Sequence, residues 1–201
     1  MFANRFTALV DACTLADSLK RNLLLTLAEA GFFRLRWSAL VLDETEAAIE
    51  AMQRKKGRTD ATERAKRARA SMETAFEDAT VTDFDNFLSA AAGLPDPDDA
   101  QVVAAAIKTE AAMIVTENLK HFPAAILATL NMEAKSADAF IADTIALDEG
   151  RAVAAIRRMR ERFKKPEMTA EALSLTMEAA GLLALWSRSC ISYLLYGSLI
   201  D

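Results

Sequence analysis

The chain has 201 residues, 52% of them hydrophobic, with 29 acidic against 24 basic side chains and a net charge of −5. That apolar content buries a substantial core and excludes a disordered chain, and the acidic balance excludes a generally basic coat protein for nucleic acid while leaving room for a local basic patch. Cys13 and Cys190 stand far apart without C-x-x-C or zinc spacing, which reads as reduced core thiols of a cytoplasmic protein rather than a disulfide framework.

The apolar run Phe6 to Val10 predicts a buried strand that ends directly on Asp11, followed by the small residues Ala12 and Cys13. At about five residues it is too short for the apolar region of a secretory signal. Leu19, Leu23, Leu27 and Ala30 recur at helical spacing over Ser18 to Ala30, with Gly31 as the stop. "FFRLRW" is a second strand, and Ser38 caps a long helix in which Val41, Leu42, Thr45, Ala48, Ile49 and Met52 share a face, ending at Gly57. Thr59 or Asp60 opens a charged helix running to about Asp78, and Ala79 to Val81 form a short third strand.

In "LPDPDDAQVVAAAI" Asp96 is the N-cap, Pro97 the first helical residue, and Asp98 and Asp99 lie in the positive first turn of a helix reaching about Glu110. "AMIVT" follows as an apolar strand ending on Thr116, Glu117 and Asn118, and "NMEAK" adds a last strand. From Ser136 onward the pattern is helical, with joints at Gly150 and Pro166. The terminal "GLLALWSRSCISYLLYGSLI" has nearly the length of a membrane span, but Arg188 and four serines interrupt it, so it reads as a packed or partner-binding helix. No membrane partner is expected.

Strand and helix alternate as in an α/β fold with a central parallel sheet of about four to five strands and helices on both faces, a three-layer α/β/α arrangement followed by an all-helical extension. The expected division is 1–140 and 141–201. In such a sheet helix N-termini lie beside strand C-termini, and ligands bind along that edge. Asp11, the Thr116 to Asn118 segment, Asp99 and Glu44 all fall there. Two carboxylates about 5 Å apart repel by roughly 3 kcal/mol at an effective dielectric near 20, so such a cluster calls for an oxygen-preferring divalent cation, Mg²⁺ or Mn²⁺. With a single histidine and no convergent thiols, zinc fits poorly.

Simpler roles compete with this one. Asp11 could cap the turn after its strand, and Asp96 and Asp98 read as helix-start chemistry, whereas Asp99 shares a face with Val102, Val103, Ala106 and Ile107 and leans toward the core. Periodicity does not single out Glu44, which flanks the apolar stripe on one side as Glu46 does on the other. His121 reads as a loop or helix-end residue rather than a ligand.

The pieces "LVDAC", "WSALVLDE", "LPDPDDAQVVAAAI" and "IVTENLKHFP" stand in this order, and together they resemble the PIN-domain ribonucleases found as VapC-type toxins. The resemblance covers about Phe6 to Phe140, and the helical tail from Ile141 is similar to an extension of one bacterial branch. It implies Asp11, Glu44 and Asp99 as acidic metal ligands and catalytic residues, with Thr116 supporting the site. Asn118 stands where many members carry a fourth acid; it can supply a carbonyl oxygen but not the charge. The implied chemistry is metal-assisted hydrolysis of RNA phosphodiesters, blocked by a partner antitoxin, with a homodimer as a further expected assembly.

RNA binding by an acidic chain needs local cations. Arg54, Lys55, Lys56, Arg58, Arg64 and Arg67, together with Lys66 and Arg69, set eight positive charges against Asp60 and Glu63 in sixteen residues. A second run, Arg157, Arg158, Arg160, Arg162, Lys164 and Lys165, reads as a solvated helix face. An α/β phosphohydrolase using Asp11 as nucleophile would need an acid where Cys13 stands, and a C-x-x-x-x-x-R phosphatase an arginine where Leu19 stands. The other class of function is a non-catalytic RNA-binding or regulatory module of the same fold, motivated by Asn118.

Overall fold

The computed structural model describes residues 6–164 and 168–182; Lys165, Pro166, Arg188 and Cys190 lie outside the described residues. The chain forms two compact units, Met1–Asp17 with Phe33–Ser136, and Ser18–Phe32 with Ala137–Asp201.

The first unit is built on a five-stranded, all-parallel sheet. Its strands are β1 (Thr7–Val10), β2 (Arg34–Ser38), β3 (Thr80–Val81), β4 (Met113–Val115) and β5 (Glu133–Lys135). They lie in the order β3-β2-β1-β4-β5, with Val10 beside Val115 and Ser38 beside Val81. Every residue of β1 and β4 is buried, which is why both read as continuous apolar runs rather than alternating ones.

The helices, in chain order, are α1 (Ala12–Ala16), α2 (Ser18–Glu29), α3 (Ala39–Lys55), α4 (Ala61–Ala75), α5 (Ala100–Lys108), α6 (Ala124–Thr129), α7 (Ala137–Leu147), α8 (Glu149–Glu161) and α9 (Ala170–Ala179). Of these, α1 and α3 to α6 belong to the first unit. The chain crosses the sheet one way from β1 to β3 and the other way from β3 to β5. Right-handed crossovers therefore put α3 and α4 on one face and α5 and α6 on the other, giving the α/β/α layers. Small side chains let α5 lie close across β2, β1 and β4, with Val102, Val103, Ala104, Ala105 and Ala106 all buried.

Ser38 closes β2 and opens α3: its Oγ accepts the Val41 N–H at 3.1 Å and donates to Gln101 Oε1 at 2.8 Å. Gly57, with φ of +73°, accommodates the left-handed turn that ends α3. In the second unit α2 packs on α7 and α8, and Arg151 donates to the Ala30 carbonyl at 2.9 Å, satisfying an acceptor at the α2 C-terminus. Among the described residues no helix is long and apolar enough to cross a membrane.

Several local expectations are corrected. The short helix α1 follows Asp11 at once, α6 intervenes before β5, and a 3₁₀ stretch spans Asp85–Ala91. Asp60 stands at the N-cap of α4 but pairs with Arg64 instead of capping, and α4 stops at Ala75 rather than Asp78. The joint placed at Gly150 is Asp148, whose side chain accepts from Arg151 N–H and leaves Gly150 inside the first turn of α8.

Ser38→Ala removes both the α3 cap and the donor that satisfies buried Gln101. Urea unfolding is expected to show a loss of about 2 kcal/mol.

Candidate functional site

Strand order reverses at β1, so the C-terminal tips of β1 and β4 flank a topological switch point, the place where open α/β sheets take ligands. Asp11 lies at one tip and is only 4% exposed. Its carboxylate is fully engaged: Oδ1 accepts the Ala12 N–H at 2.7 Å, and Oδ2 accepts the Thr116 hydroxyl at 2.7 Å and the Cys13 thiol at 3.1 Å. The cap that sequence offers as the simpler reading of Asp11 is thus present, but on one oxygen alone.

Thr116 and Asn118 follow β4. The Thr116 Oγ1 also accepts the Asn118 N–H at 3.0 Å, which fixes the backbone there. The Asn118 side chain caps nothing. Cys13, one of the two small residues after β1, ties α1 to the end of β4, because its sulfur also accepts the Glu117 N–H at 3.3 Å. Burial first, and then the Asp11 charge, push its thiol pKa up, so it acts as a neutral bridge and not as a reactive thiolate.

Glu44 is carried by the second turn of α3. Burial, followed by the charges of Asp11, Asp99, Asp98 and Asp43, lifts its carboxyl above the ordinary range. Gln101 reaches it from α5, with Nε2 donating to Oε1 at 3.4 Å. The Ser38 hydroxyl on Gln101 Oε1 orients this amide, turning the NH₂ end toward Glu44.

Asp99 ends a 3₁₀ turn, Pro97–Asp99, and stands at the N-cap of α5 without making a capping bond. Asp96 does the capping, accepting the Asp98 N–H at 3.0 Å. The Asp99 carboxyl is raised chiefly by burial and further by Asp11 and Asp96, against which a hydrogen bond from His121 pulls it down. His121 Nδ1 lies 2.8 Å from Asp99 Oδ2 and 3.7 Å from Asp96 Oδ2.

The sheet edge therefore gathers Asp11, Glu44 and Asp99 into one field of mutual repulsion, with Asn118 at its side on the β4 tip. The tightest grouping among the described residues is a different one, Asp96, Asp99 and His121, whose ligand atoms lie within 4.8 Å of one another. Sequence reasoning set His121 aside, because nothing in "NLKHFP" announces that the turn swings the ring back to α5. Gln101 was missed although a signal existed: it is the one polar residue in an otherwise apolar stretch, Ala100 to Ile107. The oxygen donors are of the kind that hold a hard divalent cation, and the acid surplus is the chemistry that such a cation relieves.

Of the basic candidates, Arg54 pairs with Glu50 and Arg64 with Asp60, while Lys55, Lys56, Arg58 and Arg67 are exposed and form no ion pair among the described residues. Arg69 bridges Asp43, Glu46 and Glu73 and so belongs to the α3–α4 contact. In the second run, Arg157 pairs with Glu161 and Arg162 with Glu29.

A PIN domain matches residues 7–120, more than half of the chain, so the chain belongs to the PIN-domain family. The VapC50 C-terminal domain matches residues 137–188, and the two together define a VapC-like PIN protein with a C-terminal extension, at family level a nuclease toxin. No curated protein and no solved structure matches the chain.

Glu44→Gln keeps an acceptor for Gln101 and removes one repelling charge. In EDTA, scanning calorimetry is expected to place its midpoint about 1–2 °C above wild type, roughly 0.5 kcal/mol after solvent screening; a lower midpoint would contradict the acid surplus.

Proposed function

We propose that the chain is a divalent-metal-dependent endoribonuclease that hydrolyses RNA phosphodiester bonds and is held in check by an antitoxin protein. The observation that carries this reading is the convergence of Asp11, Glu44 and Asp99, from three separate crossovers, on the switch-point edge of a PIN-family sheet. In this reading the nuclease domain is 1–140 and the helical extension 141–201.

Asp11, Glu44 and Asp99 would hold Mg²⁺ or Mn²⁺, with the Asn118 carbonyl as a neutral fourth donor. The bound cation supplies polarisation of a phosphoryl oxygen and activation of water near neutral pH. Asp11, clamped by Thr116 and Cys13, is the rigid member, and the other acids are arranged around it. Glu44 is steadied by the Gln101 amide. No side chain serves as a covalent nucleophile.

Exposed Lys55, Lys56 and Arg58 at the end of α3, with Arg64 and Arg67 on α4, form the proposed phosphate track, to which ion-paired Arg54 adds its second face. Helical rise places Lys55 about 16 Å along α3 from Glu44, so the track takes RNA beyond the cleaved bond rather than the bond itself. Single-stranded or looped RNA suits it, because its backbone deforms to reach a crevice.

Purified protein incubated with RNA and Mn²⁺ is expected to cleave, with EDTA abolishing cleavage and Asp11→Asn or Asp99→Asn slowing it at least about 100-fold. Cleavage indifferent to EDTA and to both variants would sink the proposal. If Lys55, Lys56 and Arg58 bind phosphates, replacing all three by alanine flattens the slope of log affinity against log salt by about 2, measured on the Asp11→Asn background so that RNA stays intact. An unchanged slope would remove the track.

A further inference from the structure

Asp99 stands where an aspartate ordinarily turns onto the free N–H groups of a helix start, yet its carboxylate makes no such bond. Its neighbour Asp96 supplies the local Asx-type cap instead. The Asp99 side chain is thus released from helix chemistry, and its Oδ2 meets the Nδ1 of His121 at 2.8 Å. As an ionised ligand to a cation, Asp99 can only accept, so the proposal takes the tautomer with the proton on Nδ1. The bond is of the short, charge-assisted kind.

The imidazole is delivered by a three-residue 3₁₀ turn, Leu119–His121, that Asn118 opens. The Asn118 backbone carbonyl accepts the His121 backbone N–H at 2.8 Å, and the Asn118 N–H is held by Thr116 Oγ1, which also holds Asp11. A continuous chain of hydrogen bonds therefore runs from Asp11 through Thr116, Asn118 and His121 to Asp99, joining the tip of β1 to the start of α5. Nδ1 is nearer to Asp99 than to Asp96, at 2.8 Å against 3.7 Å, so Asp99 is the group it positions.

We propose that His121 is a positioning residue of the cation site: its Nδ1–H holds Oδ2 of Asp99 and leaves Oδ1 as the oxygen offered to the ion. This rests on the reading of Asp11, Glu44 and Asp99 as ligands. It assigns the imidazole to the shell behind the ligands, where such partners set the orientation of a ligating carboxylate.

The test is calorimetric titration of the full chain with Mn²⁺, using wild type, Asp99→Asn, His121→Ala, His121→Asn and His121→Gln. The asparagine amide nitrogen replaces Nδ1 in position, whereas the glutamine nitrogen replaces Nε2. His121→Ala and His121→Gln are expected to weaken Mn²⁺ about 10- to 100-fold, and His121→Asn to stay close to wild type, with melting curves in EDTA reporting that each variant is folded. Pulsed electron paramagnetic resonance of the Mn²⁺ complex is expected to show no directly bonded nitrogen. Unchanged affinity in His121→Ala, loss in His121→Asn equal to that in His121→Ala, or a nitrogen bonded to Mn²⁺ each overturns the proposal while leaving the cation site standing. Absence of Mn²⁺ binding by wild type, or binding that Asp99→Asn leaves intact, overturns the site itself and this proposal with it.

Discussion

Asp11 is a carboxylate at the end of the central strand of a parallel sheet, almost wholly removed from water. A buried charge is expelled or neutralised unless donors answer it, and here the donors are a backbone N–H, a hydroxyl and a thiol. Two of the three come from its own short helix and the third from the neighbouring strand's exit. The requirement to satisfy Asp11 thereby couples the register of β1 and β4 to the first residues of α1. Thr116 carries the coupling onward, since the same hydroxyl that serves Asp11 accepts the Asn118 N–H and fixes the segment on which Asn118 and His121 ride.

Around that anchor the edge is overfilled with negative charge. Glu44 and Asp99 each sit in the field of Asp11, and both are partly withdrawn from water, so their ionised forms are disfavoured. The fold tolerates this arrangement because single donors are placed against single oxygens, Gln101 on Glu44 and His121 on Asp99. Neither donor neutralises the cluster. In the proposed reading a bound cation would relieve this surplus, and natural proteins accept such local instability where function requires it.

Adjacent acids in one helix start divide the work. Asp96 satisfies the turn, and Asp99, three residues later, is left for other chemistry. The basic residues divide likewise: Arg69 locks α4 to α3 through Asp43 and Glu46 and pairs with Glu73 on its own helix, while Lys55, Lys56 and Arg58 stay in solvent. Composition alone does not separate a phosphate track from an ion-pair network, because both are written with arginines spaced along a helix.

The alternation of strands and helices, the α3 cap at Ser38, the helix start after Asp96 and the acid at the β1 tip were all legible in the residues, since each depends on neighbours within a few positions. Local apolar runs, capping side chains and glycine stops act over one or two turns of chain, and these determined the α/β class and the main elements. Pairing across sequence distance arises in the packed fold: Thr116 with Asp11 over 105 residues, Gln101 with Ser38 and Glu44, and His121 with Asp99. Each of these is a hydrogen-bonded contact whose partners are brought together by strand order and crossover hand, quantities that no local pattern encodes. Acids at strand tips and helix starts are written in the residues; the packed fold decides which of them meet and which donors hold them.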